Sequence, residues 1–306
     1  MMRRSPSADS ANPVPRAARA ALAAAALALA SLAGCVTTES TRGAGAGAPP
    51  GGSAGTSETR TPDRLGSDRG SSPVSSVTSP GDETRRRARI RLELSANHYQ
   101  QRNFALALQE AEQSVGIDPK FAAGYGMLGL VYMAINDRNR ADDSFRRALQ
   151  LEPRDAELNN NYGWYLCQTG RQREAIPYFD NALEDRLYPT PSKPLHNAGI
   201  CLLQIGDDAS GENYLLRSFQ ADPSNPVANF NLGELYLKRR NLERAKFYSD
   251  RLMSGFQPTS ETLWLALRVA RLGRDQDYAN RLASQLRSRF PQSRETALLL
   301  RGAFGD

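Results

Sequence analysis

The sequence has little of what catalysis, metal binding or membrane spanning require. Its 306 residues hold two histidines, His98 and His196, and three cysteines, Cys35, Cys167 and Cys201. Neither histidine is accompanied by a glycine-framed serine, a His/Cys neighbour at metal-ligand spacing or a phosphate-cradling glycine loop. No catalytic residue, metal, cofactor or small-molecule substrate is therefore expected, and the chain reads as a non-enzyme. Long apolar runs are missing as well. The nearest to one, residues 20–32 (AALAAAALALASL), spans roughly 20 Å as a helix, against about 30 Å of bilayer hydrocarbon. The net charge of +6 is also less than it looks. Half of it comes from residues 1–34, where four arginines face Asp9. Elsewhere no cluster of Lys/Arg with interleaved aromatics stands out, which excludes nucleic acid as the expected partner.

What is present divides the chain into three. Residues 1–34 have a polar, basic start and a short Ala/Leu segment, the pattern of a secretory signal peptide. The segment ends in Leu32-Ala33-Gly34-Cys35, which looks like a bacterial lipobox. That resemblance implies cleavage before Cys35 and acylation of its thiol and new amino terminus. Val36 follows where an aspartate would suggest inner-membrane retention, so the expected location is the periplasmic face of the outer membrane. Residues 36–87 are another material: 31 of the 52 are Gly, Pro, Ser or Thr and none is aromatic. Such composition cannot offset chain entropy and predicts a disordered tether from 35 to 87. Arg85-Arg86-Arg87 at its end reads as a solvated junction or a contact with anionic headgroups.

From residue 88 the pattern is helical without a strand signature, and prolines punctuate it. Pro119 and Pro153 lie 34 apart, and Pro223 and Pro291 lie 68 apart. Units then start at 88, 122, 156, 192, 226 and 260, with a capping helix over 294–301. A 34-residue period is the signature of the tetratricopeptide repeat. The second unit fills its pattern with Tyr125, Leu128, Gly129, Tyr132, Ala141, Phe145, Ala148 and Pro153. Small residues let paired helices approach, large ones fill the gap, and proline stops continuation. The outer units match less well, with Ser95 and Leu267 at the small-residue position. The expected fold is all-α: a right-handed superhelix of about six repeats over 88–306.

Cys167 and Cys201 fall on the first helices of adjacent units. A disulfide is geometrically plausible there, and two reduced core cysteines are the alternative. In each unit the second, fifth, ninth and twelfth residues of the first helix point to the concave face. This stripe includes Tyr99, Asn160, Trp164, His196 and Phe230, an apolar and aromatic groove. Beside it Asn161, Asn197 and Asn231 occupy one register position in three successive units. Such amides either pin the backbone of an extended peptide or brace neighbouring helices. His98 falls where other units have tyrosine and reads as packing.

The third-to-fourth junction departs from the period by two residues, at LEDRLYPTPSKPLHNAGICLLQIGD (183–207). Together with NNYGWYLCQTG (160–170) it closely resembles the PilF/PilW family of type IV pilus biogenesis lipoproteins. Asn161, Gly163, Trp164, Cys167, the Tyr188-Pro189-Thr190-Pro191 insert, Asn197, Gly199 and Cys201 carry the match, over residues 88 to about 300. The long linker and loosened first unit depart from it. The resemblance implies a pilotin-type role: a lipoprotein, anchored by its acyl chains, that binds the type IV pilus secretin subunit and promotes its insertion and multimerisation. The alternative is a lipid-anchored periplasmic adaptor for cell-wall enzymes or outer-membrane protein assembly.

Overall fold

The computed structural model describes residues 80–304. The expected signal peptide, Cys35 and the tether up to residue 79 lie outside the described residues. Thirteen helices follow in order: α1 Pro80–Gln100, α2 Phe104–Ile117, α3 Ala122–Ala134, α4 Arg138–Leu151, α5 Ala156–Gln168 and α6 Gln172–Glu184. Then come α7 Ser192–Gln204, α8 Asp208–Ala221, α9 Pro226–Lys238, α10 Leu242–Gly255, α11 Ser260–Leu272, α12 Gln276–Arg289 and α13 Arg294–Leu300. They stack as six antiparallel pairs, the all-α tetratricopeptide solenoid, with α13 covering the last pair. No strand occurs among the described residues.

Five of the six pairs share one local cap chemistry, the third starting its second helix at Arg171 without a side-chain cap. The second helix starts on a side-chain cap, from Asn103, Asp137, Asp207, Asn241 and Asp275, each accepting a backbone N–H three residues on. The residue before that position has positive φ in every pair: Arg102, Asn136, Gly170, Gly206, Arg240 and Arg274. That reversal folds the second helix back on the first. Where they cross, a Cβ on Gly163 would lie 2.9 Å from the Phe179 ring, and one on Gly129 2.7 Å from Phe145. The outer pairs solve the crossing differently. Ser95 is buried and donates its hydroxyl to the Ala107 carbonyl at 2.7 Å. Leu267 is accommodated because the facing helix offers Ala279 and Ala283.

One boundary is corrected. The tether expected to run to residue 87 gives way to helix by Pro80, two turns earlier. The side chains explain it: Arg85 pairs with Asp118 of the α2–α3 connection and lies over Phe121 at 4.9 Å. Arg85 is therefore a structural residue rather than part of a solvated or membrane-touching arginine run.

At the other end Ser293 caps α13 by accepting from Thr296 N–H at 3.1 Å. The chain then returns so that Phe304 stacks on Trp264 at 5.3 Å. Both contacts seal apolar surface that the last repeat would otherwise expose.

Candidate partner-binding face

The first helices α1, α3, α5, α7, α9 and α11 form the inner layer, and side by side they are tied most strongly between α5 and α7. Cys167 and Cys201 form a disulfide with Cα atoms 5.7 Å apart. One helical turn away Asn197 Nδ2 donates to Asn160 Oδ1 at 2.9 Å. At the helix starts Glu157 receives the Tyr188 hydroxyl at 2.6 Å and the Lys193 ammonium. Burial opposes ionisation of Glu157, but Lys193, Tyr188 and Asn161 outweigh it and hold the carboxyl below its ordinary range. Through Tyr188 the two-residue insert is fastened onto α5, while Leu187 beside it stands 90% exposed.

His196 performs the next lateral tie. Asn225 commits its oxygen to the Val227 and Ala228 N–H groups, so its amide donates to His196 Nδ1 at 3.0 Å. Burial, then the Lys193 charge, pushes the His196 pKa down to about 4. The imidazole is therefore neutral at pH 7, in the tautomer that leaves Nδ1 as acceptor.

These contacts correct the expected groove. Asn160, His196 and Asn197 are buried, at 1%, 7% and 5% exposure, and spend their polar atoms on neighbouring helices. In the second, third and fourth units the fifth register position, Gly126, Asn160 and His196, faces the next first helix rather than open space. At Gly126 a Cβ would sit 2.4 Å from Leu158. Asn231 donates to the carbonyl of Val227 on its own helix at 2.8 Å, and Asn161 accepts from Asn160 at 3.3 Å. Of the asparagine row, Asn197 is thus internal bracing, while Asn161 and Asn231 stay partly exposed. Tyr99 packs edge-on against Phe104 at 5.6 Å, and burial raises its phenol pKa.

What stays only partly buried on the inner layer is Trp164, whose indole makes no hydrogen bond among the described residues, together with Leu130, Met133, Leu203, Phe230 and Leu237. Further along, Glu234 of α9 and Arg268 of α11 form an ion pair. Burial holds Glu234 above its ordinary carboxyl range although Arg268 pulls the other way. Glu234 and Arg268 both occupy the ninth position of their units, on the inner stripe, and neither this pair nor Glu157 with Lys193 is evident from residue types alone. Opposite charges one repeat apart, 34 and 36 residues, were the available signal. Among the described residues no group of three His, Cys, Asp or Glu side chains is placed to hold a metal.

Comparison with known proteins agrees with this architecture. The sequence profile of the tetratricopeptide repeat family matches residues 127–190. The type IV pilus assembly protein PilF of Pseudomonas aeruginosa is 29% identical over 204 residues, 67% of this chain and 81% of the relative. The crystal structure of PilW, a widely conserved type IV pilus biogenesis factor, is 31% identical with a TM-score of 0.64. The alignment covers 70% of this chain and 98% of PilW. A structure of Pseudomonas aeruginosa PilF superposes with a TM-score of 0.65 at 28% identity, covering 72% of this chain and 98% of that one. With the repeat fold, 31% identity and 98% of PilW covered, the chain belongs to the PilF/PilW family of tetratricopeptide-repeat type IV pilus biogenesis factors.

Proposed function

We propose that the protein acts in type IV pilus biogenesis as a pilotin-type factor: an outer-membrane lipoprotein, acylated at Cys35, that holds secretin subunits and promotes their insertion and multimerisation. The carrying observation is Trp164, a large aromatic left partly exposed on the inner face of a helix locked to its neighbour by a disulfide. Rigid aromatic anchors on a pre-ordered surface are the usual centre of a protein interface. Two features support the oxidising, membrane-anchored setting: the bridged cysteines, which persist outside the cytosol, and the lipobox-like Leu32-Ala33-Gly34-Cys35. One acyl chain binds a bilayer only marginally, so durable anchoring takes more than one.

Deleting the gene tests the role directly. The expected result is loss of heat- and detergent-resistant secretin multimers from outer-membrane fractions, with monomers accumulating. Unchanged multimers would reject it. Trp164→Ala is expected to weaken secretin capture roughly tenfold at unchanged helicity. Full affinity in that variant would remove the inner face from the mechanism.

A further inference from the structure

The second helices line the outer side of the solenoid, and there one register position breaks its pattern. The twenty-second residue of the successive units is Gln109, Asp143, Pro177, Asn213, Phe247 and Arg281. Five units place a polar residue or proline at this surface position, and the fifth places phenylalanine, 49% exposed. Phe247 meets Phe219 of α8 edge-on at 6.0 Å. Arg251 lays its guanidinium over both rings, at 5.3 and 5.7 Å, and is held there by donating to the Pro223 carbonyl at 3.1 Å.

Two more arginines flank this pair on the adjoining second helices. Arg217 of α8 lies over Tyr214 at 5.2 Å, and Arg281 of α12 lies over Tyr278 at 5.5 Å. Neither they nor Arg251 pair with a carboxylate among the described residues, unlike Arg85, Arg91, Arg146, Arg171, Arg239 and Arg244. At Arg217 and Arg281 stacking occupies the faces of the guanidinium and leaves its N–H edges free for carboxylates, whereas Arg251 has its Nε buried and spends an N–H on Pro223. Because the rings already order these side chains, engaging them costs less conformational entropy. Charge favours an acidic occupant as well: the outer helices α8, α10 and α12 carry seven Lys/Arg against five Asp/Glu.

We propose that the outer face of the fifth repeat, centred on Phe247, docks an acidic amphipathic segment of a protein partner, separately from the inner face. The segment would bury an apolar side chain on Phe247 and Phe219 and set carboxylates against Arg217 and Arg281, with Arg251 holding the two rings in place.

A displayed library of random helical peptides, selected on the full chain and counter-selected on Phe247→Ser, tests this. The expected survivors carry Glu or Asp around Leu or Phe and bind at least roughly tenfold tighter to wild type than to Phe247→Ser. Their affinity should fall in high salt and in Arg217→Gln or Arg281→Gln, and persist in Trp164→Ala. The arginine variants keep the test alive should Phe247→Ser lose helicity. Failure to enrich any Phe247-dependent sequence overturns the proposal, and so does a basic or uncharged consensus. Loss of binding in Trp164→Ala would move the peptide to the inner face. Phe247-dependent binding to phosphatidylglycerol vesicles, without peptide binding, would assign the surface to lipid instead.

Discussion

The third and fourth repeats and the fifth and sixth are built on one plan and held in different ways. In the former pair, inner helices α5 and α7 are joined by a disulfide, a buried asparagine pair and the Glu157 network. Their helix-pair turns use Gly170 and Gly206 at positive φ, where glycine has no steric cost. The fifth and sixth repeats have no covalent tie, and the corresponding turns place Arg240 and Arg274 in the left-handed region. Charge follows the same division. Residues 156–225 hold 5 Lys/Arg against 9 Asp/Glu, the reverse of the arginine-rich C-terminal repeats. One half of the solenoid has put its polar groups into rigidity, and the other keeps them at the surface. A rigid centre fixes where Trp164 stands, while the arginine-rich end retains unpaired donors.

Removing the bridge should erase most of this contrast. The disulfide closes a loop of 34 residues, for which chain-entropy arguments give about 3–4 kcal/mol of stabilisation. Cys167→Ser is expected to lower stability by that order in urea denaturation, and reductant should do the same to wild type but not to the variant. Equal stability of the two proteins would show that the asparagine and Glu157 contacts suffice. Acid should loosen the same centre by a second route. His196 titrates near 6.5 when unfolded and at about 4 in the fold. The unfolded chain therefore takes up the proton first as pH falls. The stabilisation is complete above pH 6.5, declines between 6.5 and 4, and is gone below. Its size is about 3 kcal/mol. His196→Gln, which keeps an acceptor for Asn225, should flatten the pH dependence in that window. The depressed carboxyls of Glu157 and Asp118 act at lower pH and should remain in both proteins.

The fold was legible because period, proline and glycine act locally. Each of Pro119, Pro153, Pro223 and Pro291 marks a unit end whatever the rest of the chain does. The site was less legible, because register gives the direction of a side chain but not who meets it. Asn160, Asn197 and His196 were placed on the correct helices, yet the lateral spacing of the inner helices buries them. That spacing is a property of the assembled stack. The start of α1 escaped for a related reason. Pro80-Gly81 reads as linker by composition, and only the long-range Arg85–Asp118 pair shows that helix is favoured there. Phe247 was visible in the sequence all along, but it becomes informative only when the six units are aligned and its exposure is known.

The smallest expected effect sharpens the comparison from the other side. If the left-handed turns of the C-terminal repeats carry strain that Gly170 and Gly206 avoid, glycine at Arg240 should release it. Arg240 has φ of 55°, is exposed and makes no ion pair among the described residues. Substitution by glycine removes the Cβ clash of that region, at the cost of a more flexible unfolded chain. The balance favours Arg240→Gly by about 0.5–1 kcal/mol, measurable as a higher urea midpoint at unchanged slope. The reciprocal change, Gly206→Arg, should lower it by a similar amount, since no atom lies within 4 Å of a Cβ built there and the backbone term stands alone. Opposite signs in the two variants would place the difference between the halves in the turns as well as in the disulfide. A loss in Arg240→Gly would mean that its side chain has a stabilising role that outweighs the backbone strain.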